Sequence, residues 1–345
     1  VTLRFAIAGA GQIGRVHAAR IATSDECRLV ALVDPAPAVQ AAAQGLDVPL
    51  FGSIDEMLAA ARPDGVILAT PNGLHVAGAL SCIAAGVPVL VEKPIADTLA
   101  DAQTLVDAQR RTGVPVLVGH HRRHSAIIET ARQVIASGRL GRLVAVSGSA
   151  TFVKPDRYFE AAPWRTQAGG GPILINLVHE IDTLRTLIGE ITTVQALASS
   201  AVRGFAVEDT VAIGLRFESG VLGSFLLSDC AASPRSWEQT CGENPDFDHH
   251  ADQDCCVIVG THGSLQLPTM NLLSYPGERS WFETMVRESL PQTPVDPLQR
   301  QLAHFCAVVR RETEPLVSAD DALRTLAATL AVADAARTGQ AIELT

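Results

Sequence analysis

Val1-Thr-Leu-Arg-Phe-Ala-Ile-Ala-Gly9-Ala-Gly11-Gln12-Ile13-Gly14-Arg-Val-His-Ala-Ala-Arg20 reads as a short apolar strand, a glycine turn and the opening of a helix. In that setting the glycines form a dinucleotide-binding fingerprint. Gly9 permits the tight turn, Gly11 lets the backbone approach a pyrophosphate, Gly14 lets the helix pack on the strand, and the free N–H groups at the helix start suit phosphate oxygens. A second apolar strand, Arg28-Leu-Val-Ala-Leu-Val33, ends in Asp34, twenty residues after Gly14. A carboxylate there binds the hydroxyls of an adenosine ribose and repels a 2′-phosphate. The following Pro35-Ala36-Pro37 supplies no arginine to accept one, so the expected cofactor is NAD, with NADP disfavoured.

Composition narrows the remaining choices. The chain has 345 residues, 47% hydrophobic and 19% charged, enough for two domains with separate cores. Its net charge is −10 and its basic run is short, His120-His-Arg-Arg-His124, which argues against a nucleic acid or a membrane surface as partner. A small molecule is expected instead. The seven cysteines (27, 82, 230, 241, 255, 256 and 306) form no CxxC pair and no zinc spacing, a pattern that suits free thiols in a reducing, cytoplasmic setting. No apolar stretch approaches membrane-span length, and the apolar start carries the fingerprint in place of a cleavage site.

Strand and helix patterns alternate to about residue 121, the order of a doubly wound parallel sheet. Gly65–Ala69, Val87–Val91 and Val114–Val118 are short, apolar and rich in β-branched residues, as buried parallel strands are. The alanine-rich stretch 38–43 reads as a helix. Ligands bind such sheets beyond the carboxyl ends of the strands. Those ends carry Thr70-Pro71-Asn72, Glu92-Lys93-Pro94 and His120-His-Arg122-Arg. After residue 122 longer alternating strands appear, such as Thr210–Phe217 and Val221–Ser228, predicting a mostly antiparallel sheet. The expected division is therefore residues 1–122 and 123–345. Two helices, opened by Asp296-Pro297 and by the capping box Ser318-Ala-Asp-Asp321, finish the chain beside the sheet or against the first domain.

Several side chains stand out as chemically equipped. Lys93 lies at a strand end where a nicotinamide would rest, and proximity to its positive charge would lower the lysine pKa toward neutrality. The segment Gly169-Gly-Gly-Pro-Ile-Leu-Ile-Asn176-Leu-Val-His179-Glu-Ile-Asp182 predicts a glycine turn and an apolar helix ending near Gly189. Asn176, His179 and Asp182, spaced by three, can share a face of that helix. Upstream, Lys154-Pro-Asp-Arg-Tyr158-Phe-Glu-Ala-Ala-Pro-Trp164-Arg165 mixes aromatic and charged groups and reads as a lid, with Tyr158, Trp164 and Arg165 as substrate contacts. Asp248, His249 and His250, and likewise His120, His121 and His124, match no metal-ligand spacing, so no metal is expected. His121 and Arg122 are expected near cofactor or substrate.

Taken together, the turn from Gly9 to Gly14, Asp34, Thr70-Pro71-Asn72 with His75, Glu92-Lys93-Pro94, and the triple glycine followed by His179 and Asp182 resemble the Gfo/Idh/MocA oxidoreductases over residues 3 to about 335. The resemblance implies an N-terminal Rossmann domain and a C-terminal α+β domain with an open, mostly antiparallel sheet that builds homodimers or homotetramers. It implies a cofactor site at Gly9, Gly11, Gln12, Ile13, Gly14 and Asp34, continued by Thr70, Pro71, Asn72, His75, Glu92, Lys93 and Arg122. Lys93 and His179 take the catalytic positions, and Asn176 joins them at the substrate. Many members carry an aspartate four residues before the histidine, where this chain has Ile175. The implied activity is NAD-dependent oxidation of a secondary hydroxyl of a sugar, sugar derivative or cyclitol. Dihydrodiol oxidation, NAD-dependent glycoside hydrolysis and NAD-responsive binding are the alternatives. With the aspartate absent, His179 is read as the acid/base and Lys93 as the group orienting the reacting oxygen, and the reverse assignment stays open.

Overall fold

The computed structural model of the protein describes residues 1–36, 39–290, 292 and 295–344. Pro37 and Ala38, included in the reading above, lie outside them. Two compact units make up the chain: Val1–His121 with Pro297–Leu326, and Arg122–Asp296 with Ala327–Thr345.

The first unit is built on six parallel strands, β1 (Leu3–Ala8), β2 (Cys27–Val33), β3 (Leu50–Phe51), β4 (Gly65–Leu68), β5 (Val89–Val91) and β6 (Val116–Val118), in the order 3-2-1-4-5-6. Helices α1 (Gln12–Ala22), α2 (Gln40–Gly45), α3 (Ile54–Ala61), α4 (His75–Ala84) and α5 (Leu99–Thr112) make the crossovers. Every residue of β4, β5 and β6 is buried, which explains why these strands are apolar runs without alternation. Ser53 and Thr98 cap α3 and α5 by accepting from the Glu56 and Asp101 amides, and Gly113 ends α5 in the left-handed region. The C-terminal segment adds to this core: Phe305 packs on Phe5 with ring centroids 5.1 Å apart, and the Val118 amide donates to the Val317 carbonyl. The strand order reverses between β1 and β4, so the crevice beyond their carboxyl ends is the expected ligand position.

The second unit contains α6 (Ala126–Ala136), β7 (Leu143–Thr151), α7 (Asp156–Glu160), α8 (Val178–Ile188), β8 (Ile191–Ser199), β9 (Thr210–Phe217), β10 (Leu222–Ser228), α9 (Trp237–Thr240), β11 (Cys256–Gly260), β12 (Gly263–Leu267), β13 (Asn271–Ser274) and β14 (Val286–Ser289). Two long helices follow, α10 (Pro297–Val309) and α11 (Ala319–Thr338), and then β15 (Ile342–Glu343). The Asp321 amide donates to Ser318 Oγ at the start of α11, as the capping-box reading requires. The first two turns of α11 belong to the first unit and the remainder to the second.

The nine strands of the second sheet run in the order 14-13-12-11-7-10-9-8-15. Only the central pair, β7 with β10, is parallel. Along β9 the buried Val211, Ile213, Leu215 and Phe217 alternate with exposed residues, placing one face of the sheet on a core that α6, α8 and α11 complete. The opposite face also carries apolar side chains in register: Leu197, Leu222, Leu226 and Val259 are all exposed.

Candidate active site

In the first unit a cleft of about 660 Å³ opens at the switch point, lined by the β1 turn, Asp34, Thr70 and Pro71. The glycines there have distinct reasons. Gly9 sits at φ +93°, and a Cβ on Gly14 would stand 1.9 Å from the Gly9 carbonyl oxygen, so α1 can leave the turn only with glycine at both positions. A Cβ on Gly11 would meet no protein atom within 4 Å. The fold itself imposes no steric requirement at Gly11, and the open space there is where a pyrophosphate would pass over the backbone. Asp34 Oδ2 accepts from the Ala10 amide at 2.9 Å and Oδ1 from the Ala36 amide at 2.9 Å, fixing the carboxylate against the glycine turn. Thr70 Oγ1 is buried without a hydrogen-bond partner, a vacant polar group in the wall of a cleft that a dinucleotide would fill. The cleft therefore fits the cofactor implied by the fingerprint.

Two further side chains in this unit serve as braces. His75 is 1% exposed, with Nδ1 2.8 Å from the Pro94 carbonyl oxygen and Nε2 2.9 Å from the Thr70 carbonyl oxygen, so its ring ties the end of β4 to the turn after β5. The buried Glu92 places Oε1 2.7 Å from His17 Nε2 and accepts from the Lys93 amide through Oε2 at 3.2 Å. Burial pushes its carboxyl up, but the hydrogen bond and charge of His17, with Lys93 and His121 beyond, bring it down to about 2. Lys93 itself is half-buried, and the Lys93–Pro94 peptide is cis.

In the second unit a π-helical turn, Ile173–Leu177, leads directly into α8. The glycine turn before it is closely packed. A Cβ on Gly170 would stand 2.4 Å from the Trp164 carbonyl oxygen, and one on Gly171 2.3 Å from Glu208 Oε1, the atom that accepts from the Ile173 amide at 2.9 Å. The Trp164-Arg165 segment thus rests on the turn that aims the helix. His179 is half-buried on α8 and is followed on that helix by two anchored carboxylates, Glu180 and Asp182. Arg123 makes a two-pronged bond to Asp182, 2.8 Å at each oxygen, and Arg122 reaches Glu180 at 2.7 Å and Glu238 at 3.0 Å. Arg122, expected near cofactor or substrate, is buried with these two carboxylates and stacked on Trp237. Burial would lower its pKa, but the charges of Glu180 and Glu238 hold it above the ordinary guanidinium value.

The segment upstream of the glycines forms a cationic cluster. Lys154 is 8% exposed; its Nζ donates to Asn176 Oδ1 at 2.7 Å and lies 3.4 Å from Asp229 Oδ2 and 5.0 Å from the Tyr158 ring centroid. Arg203 Nε bonds the other Asp229 oxygen at 2.9 Å. Arg165 stacks its guanidinium 3.7 Å from the Tyr158 ring centroid and donates to the Tyr158 carbonyl oxygen at 2.6 Å. Trp164 is 52% exposed. Burial raises the Tyr158 pKa, with Arg165 acting in the opposite direction, so the phenol is neutral at physiological pH.

Comparison with known proteins gives this geometry a family. Residues 3–120 match the model described as the oxidoreductase family, NAD-binding Rossmann fold, and residues 128–266 match the GFO/IDH/MocA C-terminal domain. The chain belongs to the Gfo/Idh/MocA family. It is an NAD-binding oxidoreductase. Over 297 residues, 85% of this chain and 83% of the relative, it is 33% identical to 1,5-anhydro-D-fructose reductase of Ensifer adhaerens. It is 26% identical to inositol 2-dehydrogenase of Rhizobium meliloti over 97% of this chain and 96% of that one. The WlbA dehydrogenase of Bordetella pertussis, solved with NADH and UDP-GlcNAcA, superposes with a TM-score of 0.81 at 27% identity, covering 100% and 99% of the two chains.

Against the family pattern, the first unit brings Gly9, Gly11, Asp34, Thr70 and Pro71 to one cleft, with Gln12, Ile13 and Gly14 opening the helix behind it. Asn72 begins the short turn leading to α4. The second unit brings Asn176, Tyr158 and Arg165 around Lys154, a residue that sequence reasoning quoted without assigning it a part. A signal existed in the repeated Lys-Pro pair, Lys93-Pro94 and Lys154-Pro155, each shortly after a strand. Glu208 and Asp229 gave no such signal. Among the described residues no group of three His, Cys, Asp or Glu side chains is placed to hold a metal, and no helix is long and apolar enough to cross a membrane.

Proposed function

We propose that this protein oxidises a secondary hydroxyl of a sugar, sugar derivative or cyclitol, with Lys93 and His179 managing the hydroxyl proton. The observation that carries the reading is His179 on α8, three residues from an asparagine whose amide is fixed by a buried lysine, in a chain whose other unit has a dinucleotide cleft. The polar side chains nearby, Lys154, Tyr158 and Arg165, suit a ligand rich in hydroxyl oxygens. Two of the relatives named above are a 1,5-anhydro-D-fructose reductase and an inositol 2-dehydrogenase, and the third was solved with UDP-GlcNAcA bound; polyhydroxy rings are common to these compounds.

When bound, the nicotinamide supplies the hydride acceptor. Asp34 would hold the ribose hydroxyls, the turn at Gly11 the pyrophosphate, and Thr70 Oγ1 a polar group of the cofactor. His179 accepts the hydroxyl proton as the carbon loses its hydride, and Lys93 orients the same oxygen. Tyr158, Trp164, Arg165 and Asn176 hold the rest of the substrate. The apolar outer face of the second sheet, with Leu197, Leu222, Leu226 and Val259 exposed, supports assembly as a homodimer or homotetramer.

The test is NADH formation across inositols, aldoses, sugar acids, glycosides and dihydrodiols. Turnover that falls by about 10²- to 10⁴-fold in Lys93→Ala and His179→Asn supports the reading. Near-normal turnover of His179→Asn at all pH values, with Lys93→Ala inactive, reverses the two roles. Glycoside cleavage without net NADH replaces the dehydrogenase reading.

A further inference from the structure

The family aspartate is absent at Ile175, and the next residue, Asn176, is the one that meets Lys154. The chemistry of that contact fixes what Asn176 can do. An ammonium has only donors, so the amide atom 2.7 Å from Lys154 Nζ is the carbonyl oxygen; the contact occupies one of its lone pairs and fixes which way the amide is turned, with the donating Nδ2 group on the other side. Among the described residues no protein group bonds Nδ2. An aspartate in this region would accept a hydrogen bond or a proton from a substrate hydroxyl; the amide of Asn176 does the opposite.

Resting on the function proposed above, the geometry points to Lys154 as a positioning residue that fixes the turn of the Asn176 amide, so that its Nδ2 group donates a hydrogen bond to a substrate oxygen. Acid–base work is left to His179 and Lys93, since an amide takes up no proton near neutral pH, and the substrate oxygen that Nδ2 meets must act as an acceptor, such as an ether, carbonyl or alkoxide oxygen. A donor preset toward an oxygen that gains negative charge favours the transition state over the ground state.

Lys154 is held in place from several elements. Asp229, at the end of β10, lies on one side; Arg203, from the β8–β9 connection, bonds the same carboxylate; Tyr158 of α7 covers the ammonium; and Arg165 and Glu208 add charges nearby. Burial pushes the lysine pKa down, Asp229 pulls it up, and Arg165 and Arg203 press it down again, to about 8. The ammonium therefore persists at neutral pH and is lost just above it.

The chain contains only four asparagines, at 72, 176, 244 and 271, so selective ¹⁵N-asparagine labelling resolves each side-chain amide. The Asn176 pair, identified by its loss in Asn176→Asp, is expected to shift with a midpoint near pH 8 in the wild type. That titration is expected to vanish in Lys154→Met and in Lys154→Arg, whose guanidinium stays charged. An Asn176 signal at pH 7 that is the same in Lys154→Met as in the wild type overturns the proposal. With the best polyol substrate, Asn176→Ala and Lys154→Met should each lower kcat/KM by roughly 10²-fold, and the double variant no further, because the two residues act as one device. Lys154→Arg should restore activity to within about threefold and move the alkaline limb of the pH profile upward. Multiplying losses in the double variant overturn the coupling. If no polyol yields NADH while the amide titrates as described, the proposed function fails and the Lys154–Asn176 pairing stands.

Discussion

Glu92 Oε1 lies 2.7 Å from His17 Nε2 inside the first unit, and the second oxygen of the same carboxylate receives the Lys93 amide. One buried group therefore joins α1, which opens at the dinucleotide turn, to the backbone that carries Lys93. Its folded pKa of about 2 lies below the ordinary glutamate value of about 4.3, so the charged form is favoured by folding. The resulting stability is fully present above about pH 4.3 and is lost as pH falls toward 2. Glu92→Gln is expected to cost about 3–5 kcal/mol at pH 7, the usual loss when one partner of a buried pair is removed, and less near pH 2. Urea denaturation at pH 7 and pH 3 checks this, and an equal loss at both pH values would remove Glu92 as the source.

Gly11→Ala and Gly14→Ala separate folding from binding. The added methyl at position 14 would meet the Gly9 carbonyl, so Gly14→Ala should destabilise the protein by several kcal/mol through backbone displacement. At position 11 no protein atom lies within 4 Å, and the methyl projects where a pyrophosphate would pass. Gly11→Ala is expected to keep the wild-type Tm within about 2 °C and to weaken NAD binding by about tenfold or more. Calorimetric melting and titration with NAD check both numbers.

The first unit was legible because its signals are local. The glycine spacing, Asp34 and the apolar runs are contiguous in sequence, and each maps onto one strand or one turn. His75 shows where this stops: its type and position were noticed, but its work, joining the carbonyls of Thr70 and Pro94, depends on two strand ends being neighbours. Lys154 shows it more sharply. Its partner Asp229 follows β10, which pairs in parallel with β7 so that Ser228 aligns with Thr151, and both residues leave the same edge. That non-local pairing interrupts an otherwise antiparallel sheet, and no period-two pattern announces it. Arg122 shows it too: its place after a parallel strand is visible in the sequence, but its pairing with Glu180 and Glu238, about sixty and over a hundred residues away, is not.

Arg123 and Asp182 form a two-pronged buried pair one turn beyond His179. Removing the guanidinium deprives a carboxylate that is 2% exposed of this two-pronged partner. Arg123→Met should cost about 3–5 kcal/mol, while Arg123→Met with Asp182→Leu should recover most of that loss, since two apolar groups can replace a buried pair. If the pair also aims α8, the double variant will regain its melting temperature but not its full kcat. Recovery of both would confine the pair to stability.

Asp34 lines the dinucleotide cleft with a carboxylate whose two oxygens are already engaged. Oδ2 holds the Ala10 amide and Oδ1 the Ala36 amide, each at 2.9 Å, so the charge is fixed at the mouth of the cleft and a ribose hydroxyl must use the remaining lone pairs. Asp34→Asn retains one acceptor oxygen but loses the charge that repels a 2′-phosphate. It should weaken NAD by about tenfold, since a charge-assisted bond becomes a neutral one, while NADP binding stays level or improves. Asp34→Ala removes both acceptors, leaving the Ala10 and Ala36 amides to find water, and should weaken NAD further with a stability loss of about 1–3 kcal/mol. The ratio of NAD to NADP affinity, measured on both variants by titration, is the decisive quantity. A ratio unchanged from the wild type in Asp34→Asn would mean that the carboxylate's charge does not govern the choice and that its work is confined to holding the turn.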